Sequence, residues 1–200
     1  MKFIRNVSES EIILEFLKGE FKSNRFNADL LKALNQLNLN ETIITNGDIT
    51  SQKENENRLK IMNLFRGYPN KELFENFPKI KEWKFMQLTS KDIYSIYYIN
   101  YDYWNELSNG TSSPIAAAKN IKNGIEIFDV SNKPFLEGIK YINEFPPVIL
   151  ITCNDKKYLI IEGHSRMTIY GFDPEKLNGT YAYIGYCSFE EMKKYDIRMI

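Results

Sequence analysis

Residues 146–170 read PPVILITCNDKKYLIIEGHSRMTIY. Pro146-Pro147 ends whatever precedes it, and Val148 to Cys153 is an unbroken, β-branched-rich run of strand length. Asn154-Asp155 is a turn signal and Tyr158 to Ile161 a second apolar strand. After Glu162-Gly163 the spacing becomes helical from His164 to Tyr170. Strand, turn, strand and helix in immediate succession predict an α/β unit.

Working outward, Pro134 opens a helix carrying Phe135, Leu136, Ile139 and Ile142, and Ile125 to Phe128 has the length and composition of a strand. Beyond the quoted stretch, Tyr181 to Tyr186 predicts a third strand, and Ser188-x-x-Glu191 is a capping box for a last helix. The α/β unit therefore spans 125–200. The preceding residues, 1–124, read mostly as helices. Ser8-x-x-Glu11 caps a helix with Ile12, Ile13, Phe16, Leu17 and Phe21 on one face, and a shorter segment carries Leu30, Leu31, Leu34 and Leu37. Ser51-x-x-Glu54 caps another, stopped by Gly67 before Pro69. Residues 71–80 form a turn-rich connection, Glu82 to Leu88 alternates as a strand, Thr89 caps a helix, and Pro114 to Asn123 forms one more. The expectation is an α+β protein, with a helical N-terminal portion packed on a small mixed α/β core.

Composition narrows the function classes. With 43% hydrophobic and 14% aromatic residues the 200-residue chain can bury a sizeable core. Lys plus Arg and Asp plus Glu both number 26, so no global field steers the protein to DNA or an anionic membrane. No run of eighteen apolar residues and no signal-like leader occurs, so neither export nor membrane spanning is expected. Cys153 and Cys187 lack metal-ligand spacing and sit at strand-like runs, which predicts buried free thiols in a reducing, cytoplasmic setting.

The one histidine lies in Glu162-Gly163-His164-Ser165-Arg166. A glycine after a buried strand allows a sharp turn, and the next helix presents unpaired N–H groups and the positive end of its dipole. Such a corner suits an anion. Arg166 in the first turn can add charge-assisted hydrogen bonds to a phosphate oxygen, and Ser165 a hydroxyl. His164 can donate a hydrogen bond or shuttle a proton. Glu162 can hold the imidazole, position a divalent ion or act as a base. The same five residues also fit a plain strand-to-helix turn in which Glu162 pairs with Arg166 and His164 caps.

The ensemble of helix, Pro-Pro, strand, turn, strand and an acidic residue before G-x-x-R resembles the nucleotide-binding core of the ParB/sulfiredoxin superfamily over residues 131 to about 187. The stretches SEIILEFLKGEFKSNRF, RGYP, YDYWNELS and EGHSRMT resemble bacterial ParB-like proteins. The resemblance implies that Gly163 and Arg166 bind the phosphates of a nucleotide, CTP, ATP or ADP, with His164 matching the first histidine and Glu162 the acidic residue of the kinase form. With Ser165 beside them these residues make the expected nucleotide-binding set, Glu162 and His164 being the candidate catalytic groups and Mg²⁺ the ion expected if the site turns over. The resemblance also allows phosphoryl transfer or nucleotide hydrolysis, as in a small-molecule kinase. Two departures narrow it. Ser165 stands where sulfiredoxin needs a cysteine, and Met167 where ParB proteins carry a second arginine. The stretch after Arg166 is too short for a helix-turn-helix domain and the N-terminal part has no basic recognition helix, so direct DNA binding is not expected.

Beyond the corner, Glu20 lies on the spacing of the buried helix face with Ser23 and Arg25 nearby. It is a candidate base from the helical portion or one half of a helix-end charge pair. Arg58 and Arg66 are placed to extend an anion site or to form a solvated face. Tyr101, Tyr103 and Trp104 can stack a base or pack in the core. Two other readings stand beside nucleotide binding: a non-enzymatic protein-interaction module, and a DNA-associated ParB relative acting through a partner.

Overall fold

The sheet is assembled from strands far apart in the chain. The computed structural model describes all residues except Asn24, Asn70, Glu72 and Leu73, so part of the connection expected over 71–80 lies outside the described residues. The strands are β1 (Lys2–Val7), β2 (Glu82–Gln87), β3 (Ile96–Tyr97), β4 (Val148–Thr152), β5 (Tyr158–Glu162) and β6 (Tyr181–Tyr186), in the order β1-β2-β6-β4-β5-β3. β2 runs antiparallel to β6, β6 parallel to β4, β4 antiparallel to β5, and β5 parallel to β3. The sheet is mixed, as an α+β fold allows.

Burial follows from sequence in the central strands. Every residue of β4 is buried, consistent with its lack of polar alternation. On one face Val148, Leu150, Ile160, Ala182 and Ile184 share a core with the helices α6 (Pro114–Lys122), α7 (Lys133–Gly138) and α8 (His164–Tyr170). These helices supply Ala117, Ile121, Phe135 and Met167 to it. The strand expected over 125–128 reduces to one bridge between Ile127 and Val130, since Phe128 and Asp129 both have positive φ and break an extended run. The helix expected after Thr89 is a 3-10 segment, Ser90–Ser95, with Asp92 completing the capping box. β1 carries no strand signal of its own, because its Phe3 and Ile4 are exposed and its neighbour β2 lies roughly eighty residues away in sequence.

Two compact units result, one of Met1–Asn6 with Ile80–Ile200 and one of Val7–Lys79. The sequence pattern places the division at 124/125. The observed partition differs because β2, β3 and α6 build the sheet layer together with the C-terminal strands. No helix among the described residues is long and apolar enough to cross a membrane.

The Val7–Lys79 unit holds α1 (Glu9–Phe21), α2 (Asn27–Gln36), α3 (Thr42–Thr45) and α4 (Gln52–Arg66). Ser8 and Ser51 cap α1 and α4 by accepting from Glu11 and Glu54 amides, and Gly67, at φ 72°, ends α4 in a left-handed conformation. Arg58 is the correction here. It neither faces solvent nor extends an anion site: it is fully buried, and its guanidinium donates to the carbonyls of Ile43 (2.9 Å) and Asp48 (2.8 Å) and to Glu54 (2.9 Å). Ile43 lies in α3 and Asp48 in the loop that leads to α4, and one planar fork reaches the carbonyls of both. Replacing Arg58 with Ala should therefore destabilise this unit by roughly 3–5 kcal/mol, the range for breaking a buried charged pair. Arg58→Lys should recover only part of that, both read by urea unfolding. A loss under about 1 kcal/mol for the alanine variant would show that water replaces the fork.

Candidate functional site

The corner forms because Gly163 is the N-cap of α8 at φ 103° and ψ 22°. Only glycine adopts this backbone readily, and a Cβ there would sit 2.6 Å from Cγ1 of Val148 and 3.3 Å from Cζ of Arg166. β5 thus ends at Glu162, at its carboxyl end within the sheet, and α8 starts at once after Gly163 with His164, Ser165 and Arg166. The amide of Met167 is the first to close an α-helical bond, onto the carbonyl of Gly163 at 2.9 Å.

Arg166 is the most engaged side chain at the corner. Its Nη1 donates to the carbonyls of Pro146 (2.6 Å) and Pro147 (2.8 Å), and its Nη2 pairs with Glu162 one helical turn back. Both partners of that ion pair keep some exposure, 13% for the Arg166 side chain and 20% for that of Glu162. The plain-turn reading of EGHSR is therefore realised in its salt bridge. The guanidinium nonetheless lies within the corner, where its Cζ is 3.3 Å from the place a Gly163 Cβ would take.

His164 is half-buried as a residue, but its Nε2 is fully enclosed and has no hydrogen-bond partner. Its ring lies nearly parallel to those of Trp104 (centroids 5.3 Å apart, 16° between planes) and Tyr98 (6.0 Å, 17°), and these two stack at 4.7 Å. Desolvation in this apolar enclosure lowers the imidazole pKa to about 3. The first turn of α8 is pinned to the same cluster. Thr168 Oγ1 donates to the carbonyl of His164 at 2.8 Å, so the Tyr98 hydroxyl, 2.6 Å away and buried, is the donor to Thr168. Burial holds the Tyr98 phenol well above its ordinary pKa. Ser165 is exposed.

Of the residues expected from sequence, Glu162, Gly163, His164, Ser165 and Arg166 share the corner, and Trp104 joins them through the His164 ring. Tyr103 packs edge-on to Trp104 with its hydroxyl buried and unpartnered, whereas Tyr101 is exposed. Sequence reasoning misses Tyr98. Nothing local distinguishes it from the neighbouring tyrosines, and its partner Thr168 is 70 residues away. Glu20 belongs to the Val7–Lys79 unit, where it is buried and pairs with Arg66 at 2.7 Å. Arg66 also lies 3.9 Å from the Phe26 ring centroid, and Arg25 stacks on the same ring at 4.8 Å.

No group of three or more His, Cys, Asp or Glu side chains among the described residues could hold a metal ion. At the corner the one carboxylate, Glu162, is already paired with Arg166. These residues do not fit a protein-held Mg²⁺, which demands several oxygen ligands in octahedral array. Comparison with protein-family models, with curated proteins and with solved structures returns no match.

His164 is the only histidine, so its titration is directly observable. Its folded pKa lies below the ordinary value of 6.5, so between the two the unfolded chain binds the proton that the folded chain refuses. The stability tied to the neutral ring is complete above about pH 6.5 and is lost as pH falls toward about 3, with a slope of up to about 1.4 kcal/mol per pH unit. The imidazole carbon shifts in NMR spectra should stay constant from about pH 8 to about pH 5, and His164→Phe should flatten the acid limb of the stability curve. A titration midpoint near 6.5, the ordinary value, would contradict the enclosure.

Proposed function

We propose that the chain binds a nucleotide or a comparable phosphorylated small molecule at the Gly163–Arg166 corner. The observation that carries this reading is His164: a neutral imidazole with an unpartnered, enclosed Nε2, packed beside the Trp104 and Tyr98 rings one residue beyond a backbone reversal. A buried polar atom without a partner costs about 1–3 kcal/mol, a cost that a ligand relieves only if the aromatic enclosure opens to admit it. The Arg166 fork belongs to the same corner, and a guanidinium favours a phosphate. The resemblance to the ParB/sulfiredoxin core supports the same assignment.

Binding requires an exchange. Glu162 occupies the Arg166 guanidinium, so a phosphate must take the place of that carboxylate and release it from the corner. Like charges on phosphate and Glu162 would otherwise oppose each other within a few ångströms. Phosphoryl transfer or nucleotide hydrolysis is the reaction class a site of this kind carries, through positioning and charge rather than a nucleophile. In that class His164 is a poor general acid near neutral pH, because its pKa is lowered to about 3. Any Mg²⁺ would be supplied with the nucleotide phosphates, since the corner has no free carboxylate set for it.

A second reading, a non-enzymatic interaction module, is favoured by a groove in the Val7–Lys79 unit lined by Leu37, Leu59, Leu64, Tyr68 and Pro69. Leu59 and Leu64 are 42% and 47% exposed there, more than helix packing requires.

A thermal-shift panel of nucleoside mono-, di- and triphosphates, with and without Mg²⁺, separates the readings. A ligand at a hundred times its Kd adds about 2.7 kcal/mol, or roughly 5–10 °C for a chain of this length. Arg166→Ala should lose the shift. Glu162→Gln, which removes the competing charge, should bind more tightly than the parent, by about tenfold if the carboxylate costs about 1.4 kcal/mol. An unchanged shift in Arg166→Ala would refute the site. No shift with any nucleotide would leave the interaction module as the better reading.

A further inference from the structure

Cys153 and Cys187 are the only thiols of the chain, and neither belongs to the corner. β4 and β6 are parallel neighbours with Thr152 opposite Tyr186, so the next opposed positions are Cys153 and Cys187. The ladder continues this one step: the Cys187 amide donates to the Thr152 carbonyl at 3.0 Å, and its Sγ faces the same oxygen at 3.5 Å. Opposed residues on adjacent strands lie about 4.8 Å apart, inside the range of about 4.4–6.8 Å between the Cα atoms of a disulfide. Cys153 is half-buried and Cys187 buried, so an oxidant meets Cys153 first.

We propose that Cys153 and Cys187 form a reversible disulfide modification site, oxidised by a hydroperoxide. The Cys153 thiolate attacks the peroxide, the O–O bond breaks, and Cys153 becomes a sulfenic acid while the alcohol, or water from hydrogen peroxide, leaves with a proton. The Cys187 thiolate then attacks the sulfenic sulfur, the S–S bond forms, and hydroxide leaves as water with the proton of Cys187. Two thiols and one hydroperoxide thus yield one disulfide, one alcohol and one water. Burial holds both thiols above their ordinary pKa, and the nearby Cys153 raises Cys187 further, to about 11. The surrounding charges are Lys157, which favours the Cys153 thiolate, and Lys81 and Glu191, which respectively favour and oppose that of Cys187. Both shifts lower the thiolate fraction and so slow oxidation at neutral pH. The bond closes a loop that contains β5, the corner and α8, and it lies directly before Ser188, the cap of α9 (Phe189–Tyr195).

The test is incubation of the native chain with hydrogen peroxide, acid quenching, alkylation under denaturing conditions, and intact and peptide mass spectrometry. The expected result is a loss of about 2 Da, both thiols disappearing together, and a single peptide pair joined through Cys153 and Cys187 that dithiothreitol reverses. The oxidised form should unfold at a higher temperature than the reduced one, because the cross-link constrains the unfolded chain. Cys153→Ser should keep the Cys187 thiol alkylatable for far longer than the parent does. Two persistent thiols, a gain of about 16 or 32 Da on one cysteine with the other free, or links only between chains would each overturn the proposal. The peptide map of the parent chain decides this even if a serine variant fails to fold.

Discussion

A single guanidinium ties the turn between β5 and α8 to the start of β4. Proline has no N–H, so Pro146 and Pro147 enter β4 as acceptors only, and the Nη1 of Arg166 satisfies both carbonyls while Nη2 pairs with Glu162. The positive φ of Gly163 is what brings Arg166 within reach, since any Cβ there would collide with Val148. The geometry that gives the fold its corner is therefore also the geometry that concentrates positive charge at it. On the proposed reading a ligand anion and Glu162 would draw on the same donors, so structural clasp and binding site would compete, and the ion pair would set how strongly an anion must bind to displace it.

The aromatic cluster gives the corner its second property. Tyr98, Trp104 and His164 exclude water from one imidazole nitrogen, which keeps the ring neutral and leaves it without a partner. Together with Thr168, bonded to both Tyr98 and the His164 carbonyl, they fix where α8 begins. The ring is thus a rigid part of the core that carries one enclosed polar nitrogen.

Much of this architecture is written in local signals. The strands at 148–152, 158–162 and 181–186, the helix 164–170, and the serine caps of α1, α4 and α9 all arise from patterns within a dozen residues. The illegible parts depend on distant partners. β1 is exposed and is held by pairing with β2, and Arg58 looks like any helix-surface arginine until the carbonyls of Ile43 and Asp48 fold over it. Glu20 shows the same limit, since it pairs with Arg66, 46 positions away. At the corner, the five residues and their salt bridge are readable from spacing. The stacking of His164 on Trp104 and Tyr98 is not.

The central claim is that Arg166 exchanges Glu162 for a ligand phosphate at the start of α8. It is tested most directly by titrating the ¹⁵N-labelled chain with a nucleotide and following the Arg166 guanidinium together with the Gly163, His164 and Ser165 amides. The account predicts saturable shifts at these four groups, with a fitted Kd common to all of them and to the His164 ring carbons. Shifts confined to other parts of the molecule, or an Arg166 signal that stays fixed while nucleotide binds, would contradict it.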